Sequence, residues 1–403
     1  MIVPRDRSRQ ALFAVCLTLS AVGCGGDESG PGPAPGSVPT TVVVTGPGTL
    51  VQGASAQFSA TLLDQHGDTI TGKSFAWYSQ DSTVAYVSQQ GLVTVKKPGY
   101  CIIYAAAKPV IGSTLILISD AAIATRLVVA GKPSSLSVFG NKAYIGRTDA
   151  DSALILDIAG ERVTGSIRTG RGGIAFDPTG TRAYFAQSDS IWVIDPDADT
   201  LIAKVRVGPS LRMPLTSADG QTIWVLSTWF DRRQLYAVDA ATMSVIDSVT
   251  VPLSTDRLVL QPGLNRLYLD GDYETEVREY DASTLDPLRT WSLGGRPNGM
   301  AFSLDGTRLF VANGQNWVDE ILLSSGAVSA PKPLPAGGFD MVLSPDGARL
   351  AVNAGGYVFF LYASNLALAK TVVIGGGAVG LAFRPDGGRL LAINVNSWVD
   401  FIR

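Results

Sequence analysis

Residues 294–313 read GGRPNGMAFSLDGTRLFVAN, and this stretch indicates how most of the chain folds. Apolar residues dominate both before and after the dipeptide Asp305-Gly306. Two apolar segments joined by an Asp-Gly turn are typical of a β-hairpin, because such turns need positive φ angles that glycine adopts easily. The stretch therefore predicts two adjacent antiparallel strands, residues 299–303 and 308–313.

The same turn recurs along the chain at intervals of about forty residues. Its glycine is found at Gly140, Gly180, Gly220, Gly263, Gly306, Gly347 and Gly387. Each unit also has a third segment, such as residues 191–195, and a fourth, such as residues 201–205. Four short strands in a unit of this length are the signature of a β-propeller. We therefore expect an all-β chain with a seven-bladed β-propeller in residues 120–403.

The last unit ends early, at its third segment, residues 398–403. Residues 125–129, TRLVV, lie just before the first unit. We expect them to supply the missing fourth strand and so to close the ring between the two ends of the propeller. Closure leaves no long sheet edge exposed, which protects such a ring against edge-to-edge association.

Residues 294–299 and 304–313 together resemble the repeat of YVTN-type β-propellers. The resemblance extends over about 280 residues, with good copies in units two, six and seven and drifted copies in units three and four. It implies the propeller fold. It implies little about function, because propellers serve as enzymes, adhesins and scaffolds.

Residues 40–119 have a different pattern, with short alternating segments separated by turns. This spacing indicates a small β-sandwich. Residues 77–79 (WYS), 84–87 (VAYV) and 91–94 (GLVT) make the segment similar to the bacterial Ig-like domain of group 2. The resemblance implies a spacer or adhesive module, in which Trp77 belongs to the core.

Residues 1–24 have the features of an export signal, with three Arg residues followed by an apolar segment too short to span a membrane. The segment ends in Ala-Val-Gly-Cys24, which resembles the lipobox of bacterial lipoproteins, where the cysteine is lipidated. The alternative is an ordinary signal peptide with a chance cysteine. Residues 25–39 are rich in Gly and Pro and are expected to form a tether.

These features predict a protein of the bacterial cell envelope. We expect the lipid on Cys24 to anchor it at the outer membrane, where it faces the periplasm or the cell surface. Gly25, directly after the cysteine, is compatible with this sorting in the lipoproteins that the segment resembles. The net charge of −3 provides no general attraction for nucleic acid, which is not expected as a partner.

Histidine is scarce in this sequence. His66 is the one histidine of the chain, so residues 120–403 contain none. The predicted propeller therefore has no His general base, no His metal ligand and no Ser-His-Asp arrangement. An enzyme is for this reason less expected than a binding protein.

An acidic stretch in unit four provides the candidates for a metal site. Asp270, Asp272 and Glu274, with Glu276 close by, have carboxylate oxygens of the kind that binds Ca²⁺. Their spacing is not that of an EF-hand loop, and a solvated acidic loop is the alternative. No other cofactor is indicated.

In a propeller, the loops that join one blade's outer strand to the next blade's inner strand meet at the mouth of the central channel. In five successive units such a loop has one cation: Lys132, Arg171, Arg212, Arg257 and Arg296. These are candidates for binding an anionic ligand, since Arg suits carboxylate and phosphate groups. The alternative is a neutralised polar rim, in which acidic residues of the same face pair with the cations.

Trp229 is expected on the same face, close to Arg232 and Arg233. Aromatic residues next to Arg are typical of the residues that dominate protein interfaces. We therefore include Trp229 among the candidate ligand-binding residues. The alternative is that its ring covers the core of its blade.

Three functions are compatible with these features. The first is an exported, lipid-anchored binding or adhesion scaffold, in which the Ig-like spacer presents a propeller that binds a protein, a glycan or another anionic ligand. The second is a propeller hydrolase or lactonase that acts on a small anionic substrate with a metal at the channel mouth. The third is a purely structural envelope protein.

Overall fold

The computed structural model describes residues 36–120, 122–169, 172–229, 232–271 and 275–403. Cys24 and the tether up to residue 35 lie outside this part of the chain, as do Arg171, Asp272 and Glu274. Within the described part every regular element is a strand. That part also contains no helix long and apolar enough to cross a membrane.

The first domain is a β-sandwich of ten strands. In chain order they are β1 (Pro39–Thr45), β2 (Thr49–Val51), β3 (Ser55–Gln57), β4 (Ser59–Asp64), β5 (Thr69–Ile70), β6 (Ala76–Ser79), β7 (Ala85–Val87), β8 (Leu92–Val95), β9 (Gly99–Ala107) and β10 (Val110–Ser119). The sheets have the orders β1-β4-β5, β2-β10-β9-β6 and β3-β8-β7. Phe58, Trp77 and Cys101 are buried in the core, and Cys101 is a free thiol.

The remaining strands form the seven sheets of the propeller, named here as blades one to seven. β11 (Ile123–Val128) belongs to blade seven and comes before blade one in the chain. The first three blades contain β12 (Pro133–Phe139), β13 (Lys142–Arg147), β14 (Ser152–Asp157) and β15 (Arg162–Arg168); β16 (Ile174–Phe176), β17 (Ala183–Gln187), β18 (Ser190–Asp195) and β19 (Thr200–Arg206); and β20 (Leu211–Thr216), β21 (Thr222–Trp229), β22 (Arg232–Asp239) and β23 (Val245–Val251).

Blades four to seven follow in the same order. They contain β24 (Thr255–Leu260), β25 (Arg266–Gly271), β26 (Glu276–Asp281) and β27 (Pro287–Ser292); β28 (Pro297–Phe302), β29 (Arg308–Asn313), β30 (Trp317–Leu322), β31 (Ala327–Val328) and β32 (Lys332–Pro333); β33 (Asp340–Leu343), β34 (Arg349–Ala354), β35 (Tyr357–Tyr362) and β36 (Leu368–Val373); and β37 (Ala378–Phe383), β38 (Leu390–Asn394) and β39 (Trp398–Ile402). The prediction of an all-β chain with an Ig-like sandwich and a seven-bladed propeller is thus confirmed.

Burial follows the position of a strand within its blade. β29, the second strand of blade five, has five consecutive buried residues, because neighbouring blades cover both of its faces. β15, an outermost strand, alternates between exposed and partly buried residues. The middle strands therefore read as continuous apolar runs, whereas the outer strands alternate with the period of two that a strand with one solvated face shows.

The turn glycine has the conformation that the sequence predicts. At all seven positions its φ is positive, from 54° at Gly140 to 74° at Gly180. At Gly180 the neighbouring blade adds a second requirement, because a Cβ there would lie 2.0 Å from Cε1 of Phe139. At Gly347 a Cβ would lie 2.7 Å from Cδ1 of Leu304. The turns at Gly180 and Gly347 thus also serve as contacts between adjacent blades.

The ring closes as predicted. β11 pairs in antiparallel fashion with β39, so that Arg126 lies opposite Asp400. Arg126 donates from Nε to Oδ1 of Asp400 at 2.6 Å and from Nη2 to Oδ2 at 2.9 Å. Its guanidinium group also lies 4.5 Å from the ring centre of Trp398. A buried ion pair and a cation–π contact therefore hold the closing strand.

Blade five departs from the predicted four-strand unit. Its outer strand is divided into β31 and β32, both of which pair with β30. Val328 lies opposite Ile321 and Lys332 lies opposite Val318, so this edge has one residue more than its partner. Pro331 lies in the interruption and lacks the N–H that a continuous ladder needs.

Candidate ligand-binding site

The central channel contains a cavity of about 710 Å³. Residues of six blades line it, at or near the start of each inner strand. Representative residues are Ser134, Gly173, Met213, Arg257, Asp340 and Leu381. The inner strands of all blades run along the channel, and this shared position brings residues together that are far apart in the sequence.

The inner strand of blade three is distorted where it lines the cavity. The register of β20 shifts between Arg212 and Leu215, and Met213 has a φ of 51°. Pro214 contributes no N–H to the ladder. Gly173 of the adjacent blade makes room for this distortion, since a Cβ there would lie 3.0 Å from the backbone N of Met213.

An ion pair crosses between two blades that are not adjacent. Nη1 of Arg257 in blade four lies 3.4 Å from Oδ1 of Asp340 in blade six, and Nη2 donates to the carbonyl of Phe339 at 2.7 Å. Oδ2 of Asp340 accepts a hydrogen bond of 3.2 Å from the backbone N of Leu381 in blade seven. Burial raises the pKa of Asp340, and the charge of Arg257 opposes this shift. The carboxylate thus links three blades at the cavity.

A second ion pair joins blades three and four at the same cavity. Arg233 of β22 donates to the carboxylate of Asp256 and to the carbonyl of Thr255. Asp256 is the extra residue in the register shift of β24 between Thr255 and Arg257. The charges of Arg233 and Asp256 therefore balance within the wall of the cavity.

Arg212 is the cation of the lining that has no such balance. It is exposed, and no other described residue makes a hydrogen bond or an ion pair with its side chain. Among the described residues, the charged side chains of the lining are Arg212, Arg233, Asp256, Arg257 and Asp340, which together contribute one net positive charge when both carboxyl groups are ionised. Positive charge in a concave site concentrates anions from solution.

Ser134 adds an unsatisfied hydroxyl group to the same cavity. Its Oγ is buried and has no hydrogen-bond partner among the described residues. Ser134 is the extra residue in a register shift of β12 between Pro133 and Ser135. A buried polar atom without a partner is costly, so a ligand that offers an acceptor here would gain affinity.

The structure distributes the five predicted cations unevenly. Arg212 and Arg257 line the cavity, and Arg257 has the paired arrangement that was the alternative. Lys132 is exposed, its backbone N donates to Asp149 at 2.9 Å, and its charge helps to lower the pKa of that carboxyl. Arg296 is exposed and makes an interaction of its own. Arg171 lies outside the described residues.

Trp229 ends β21 and is 53% exposed. This exposure argues against the alternative, that its ring covers the core of its blade. Its ring is available for a ligand, but Trp229 is not part of the cavity lining.

The acidic stretch of blade four is not one solvated loop. Asp270 lies in β25 and is 3% exposed, and Glu276 begins β26 and accepts a bond of 2.7 Å from Arg278. Asp272 and Glu274 lie outside the described residues. Among the residues that are described, no three His, Cys, Asp or Glu side chains are grouped so that they could hold a metal ion.

Sequence reasoning placed Arg212 at the channel mouth but missed Ser134. A serine at a bulge within a strand has no distinctive pattern. Pro214 was an available signal for the distortion of β20, because proline inside a strand marks a bulge or an edge. The partners of Arg233 and Arg257 had no local signal, since they come from other blades.

Comparisons with known proteins agree with these two folds. Residues 38–114 match the family model of the bacterial Ig-like domain (group 2). Among solved structures, hydrazine synthase of Kuenenia stuttgartiensis is similar with a TM-score of 0.61 at 19% sequence identity; the match covers 68% of this chain and 96% of that one. At this identity the likeness concerns the fold alone. None of the curated proteins compared with the chain matches it. Residues 38–114 are thus a bacterial Ig-like domain, and the rest of the described chain has the fold of a β-propeller.

Proposed function

We propose that the chain is an exported, non-enzymatic binding scaffold of the bacterial cell envelope. A lipid on Cys24 anchors it at the outer membrane, residues 25–39 serve as the tether, and the Ig-like domain is the spacer. The propeller, whose repeats resemble the YVTN type, binds a protein or glycan ligand at the mouth of its channel.

The observation that carries this proposal is the cavity in the channel. Its volume of about 710 Å³ falls in the range of ligand pockets, roughly 300–1,000 Å³. Its wall has charged groups that converge from blades three, four and six, and Arg212 among them has no partner in the described part of the chain. Converging polar groups in a concave site fix the orientation of a ligand.

The absence of histidine from residues 120–403 supports binding rather than acid–base chemistry. The two ion pairs support the same conclusion. Arg233 and Arg257 already hold the carboxylates of Asp256 and Asp340, which are therefore engaged as structural links between blades.

The test is the binding of the full chain, kept in detergent, to an array of bacterial envelope polysaccharides and proteins. We expect saturable binding that Thr228→Trp, which replaces a small residue of the lining with a large one, weakens about tenfold or more. Thr250→Trp is the matched control, because Thr250 is exposed on the outer strand of the same blade. Saturable turnover of an ester or lactone by the purified chain, or a stoichiometric bound divalent ion, would contradict the proposal and favour a hydrolase.

A further inference from the structure

We propose that the cavity recognises a single carboxylate on a hydroxylated ligand, such as a sugar acid, and that Arg212 and Ser134 hold this carboxylate. The inference rests on the proposed function and specifies the chemical class of the ligand. It concerns the part of the cavity wall contributed by blades one to three.

The charges of the lining limit the ligand to one negative charge. Arg233 is balanced by Asp256, and Arg257 is balanced by Asp340. Of the charged lining residues that the structure describes, Arg212 alone remains in excess. One ligand carboxylate neutralises it, whereas a second negative charge would meet the carboxylates of Asp256 and Asp340 in the same cavity. Like charges that share a desolvated site repel each other strongly.

The two proposed binding groups differ in what they provide. The guanidinium of Arg212 offers parallel N–H groups that match the two oxygens of a planar carboxylate. Ser134 lines the same cavity, and its Oγ is buried without a partner among the described residues; rotation about χ1 would turn this hydroxyl toward the ligand and add one more donor. One carboxylate has enough acceptor capacity for both residues, because each of its oxygens accepts more than one hydrogen bond.

The local backbone explains why the side chain of Ser134 is available. Ser134 is the extra residue of the register shift in β12, and Arg212 comes just before the shift in β20. A bulge leaves a residue unpaired and re-aims its side chain, and bulges are frequent next to binding sites. Gly173 belongs to blade two, which lies between blades one and three. Because it has no side chain, it leaves room for the distorted backbone of β20.

The rest of the lining favours a ligand that also has hydroxyl groups. Ser135 and Thr228 add polar atoms, and Met213 and Leu136 add apolar surface. Sugars present hydroxyl groups and apolar C–H surfaces together, so a sugar acid matches this mixture. The cavity of about 710 Å³ has room for such a unit at the end of a chain or as a free molecule.

The experiment is isothermal titration calorimetry of the full chain in detergent with D-glucuronate as the probe. D-glucose is the uncharged analogue, and inorganic phosphate is the anion with a different shape and a higher charge. We expect glucuronate to bind at least tenfold more tightly than either. Arg212→Gln should weaken glucuronate binding about tenfold or more, and Ser134→Ala should weaken it severalfold.

Arg168→Gln is the control variant. Arg168 is an exposed arginine at the end of β15 that does not line the cavity, so the same loss of charge there should leave glucuronate binding unchanged. The unfolding temperature of each variant shows whether it is folded. A loss of binding in a folded Arg212→Gln variant, with Arg168→Gln unaffected, supports the inference.

Two results would overturn the inference and leave the proposed function standing. In the first, glucose or phosphate binds as tightly as glucuronate and Arg212→Gln has no effect. In the second, none of the three probes binds, while an envelope polymer still binds in a way that Thr228→Trp prevents. Polymer binding that is unaffected by Thr228→Trp would instead contradict the proposed function.

Discussion

Arg126 and Asp400 are 274 positions apart in the sequence, and their side chains form a two-pronged ion pair of 2.6 and 2.9 Å where the propeller closes. Their side chains are 4% and 0% exposed. Trp398 adds a hydrogen bond of 3.2 Å from Nε1 to Oδ2 of Asp400. The first strand of the propeller is thereby fixed to the last one.

The first prediction concerns this ion pair. Arg126→Ala should lower the free energy of unfolding by about 3–5 kcal/mol, because it leaves the Asp400 carboxylate buried without its partner. Chemical denaturation followed by tryptophan fluorescence measures the change. Arg206→Ala is the control: the Arg206–Asp189 pair is 83% and 44% exposed, and its loss should cost less than about 1 kcal/mol. Equal effects in the two variants would refute the assignment.

Blade five repeats the motif of blade seven without the cation. Trp317 donates to Oδ2 of Asp319 at 2.9 Å, as Trp398 does to Asp400, and Asp319 is 1% exposed. The residue that corresponds to Arg126 is Pro331, and no described cation pairs with Asp319. Burial raises the pKa of Asp319, and its bonds from Asn313 and Trp317 only partly oppose this.

The second prediction follows from that pKa. A carboxyl with a raised pKa stabilises the fold when protonated, and this contribution is lost as the pH rises through the folded pKa. Asp319→Asn should therefore raise the free energy of unfolding at pH 7 and flatten its decline between acid and neutral pH. Denaturation curves across this range provide the measurement.

Asp305→Asn is the comparison for this pH series. Hydrogen bonds from Ser303 and Thr307 lower the pKa of the Asp305 carboxyl to about 2. Its contribution is present at neutral pH and is lost as the pH falls toward that value, so Asp305→Asn should lower stability at pH 7. If Asp319→Asn lowers stability at pH 7, as Asp305→Asn is expected to do, the assignment for Asp319 is wrong.

The third prediction concerns the contact of Phe139 with Gly180. Gly140→Ala should cost about 1–2 kcal/mol, the cost of a left-handed conformation alone, because a Cβ at Gly140 would have open space around it. Gly180→Ala should cost about 1–3 kcal/mol more, since its Cβ would overlap the ring of Phe139. The double variant Phe139→Ala, Gly180→Ala should recover part of that difference in a thermal unfolding series; additive effects would show that the ring is not responsible.

The fourth prediction concerns the proposed anchor. Cys24→Ser should move the chain from the membrane fraction to the soluble fraction and abolish incorporation of labelled fatty acid, because each buried CH₂ of an acyl chain contributes about 0.8 kcal/mol to anchoring. Cys101→Ser is the control, since Cys101 is buried in the Ig-like core. A Cys24→Ser protein that stays in the membrane fraction with unchanged labelling would exclude the lipid anchor at this position.

The propeller could be predicted from the sequence because its defining signals are local. The conformation of a turn such as Asp305-Gly306 is determined by a few neighbouring residues. Its repetition at intervals of about forty residues then identifies the propeller. The division of the outer strand in blade five was not predicted. The segment 329–335 contains Pro331, Pro333 and Pro335, and prolines this close together indicate an interrupted or bulged strand.

The cavity could be predicted only in part. The position of Arg212 follows from the order of the strands, which the sequence repeats reveal. Whether an arginine is paired depends on residues of other blades, as with Arg257 and Asp340, which are 83 positions apart. The hydroxyl of Ser134 depends on a register shift, and a shift of one residue leaves no pattern in the sequence.

The last strand of the Ig-like domain and the closing strand of the propeller are separated by three residues, 120–122. Oδ2 of Asp120 accepts from the backbone N of Val373 at 3.3 Å, which fastens this junction to blade six. A pull on the Ig-like domain against a propeller held by its ligand would therefore load β11 directly. The mechanical strength of the whole protein would then depend on the ion pair between Arg126 and Asp400. Its rupture would open the ring rather than detach one domain from the other.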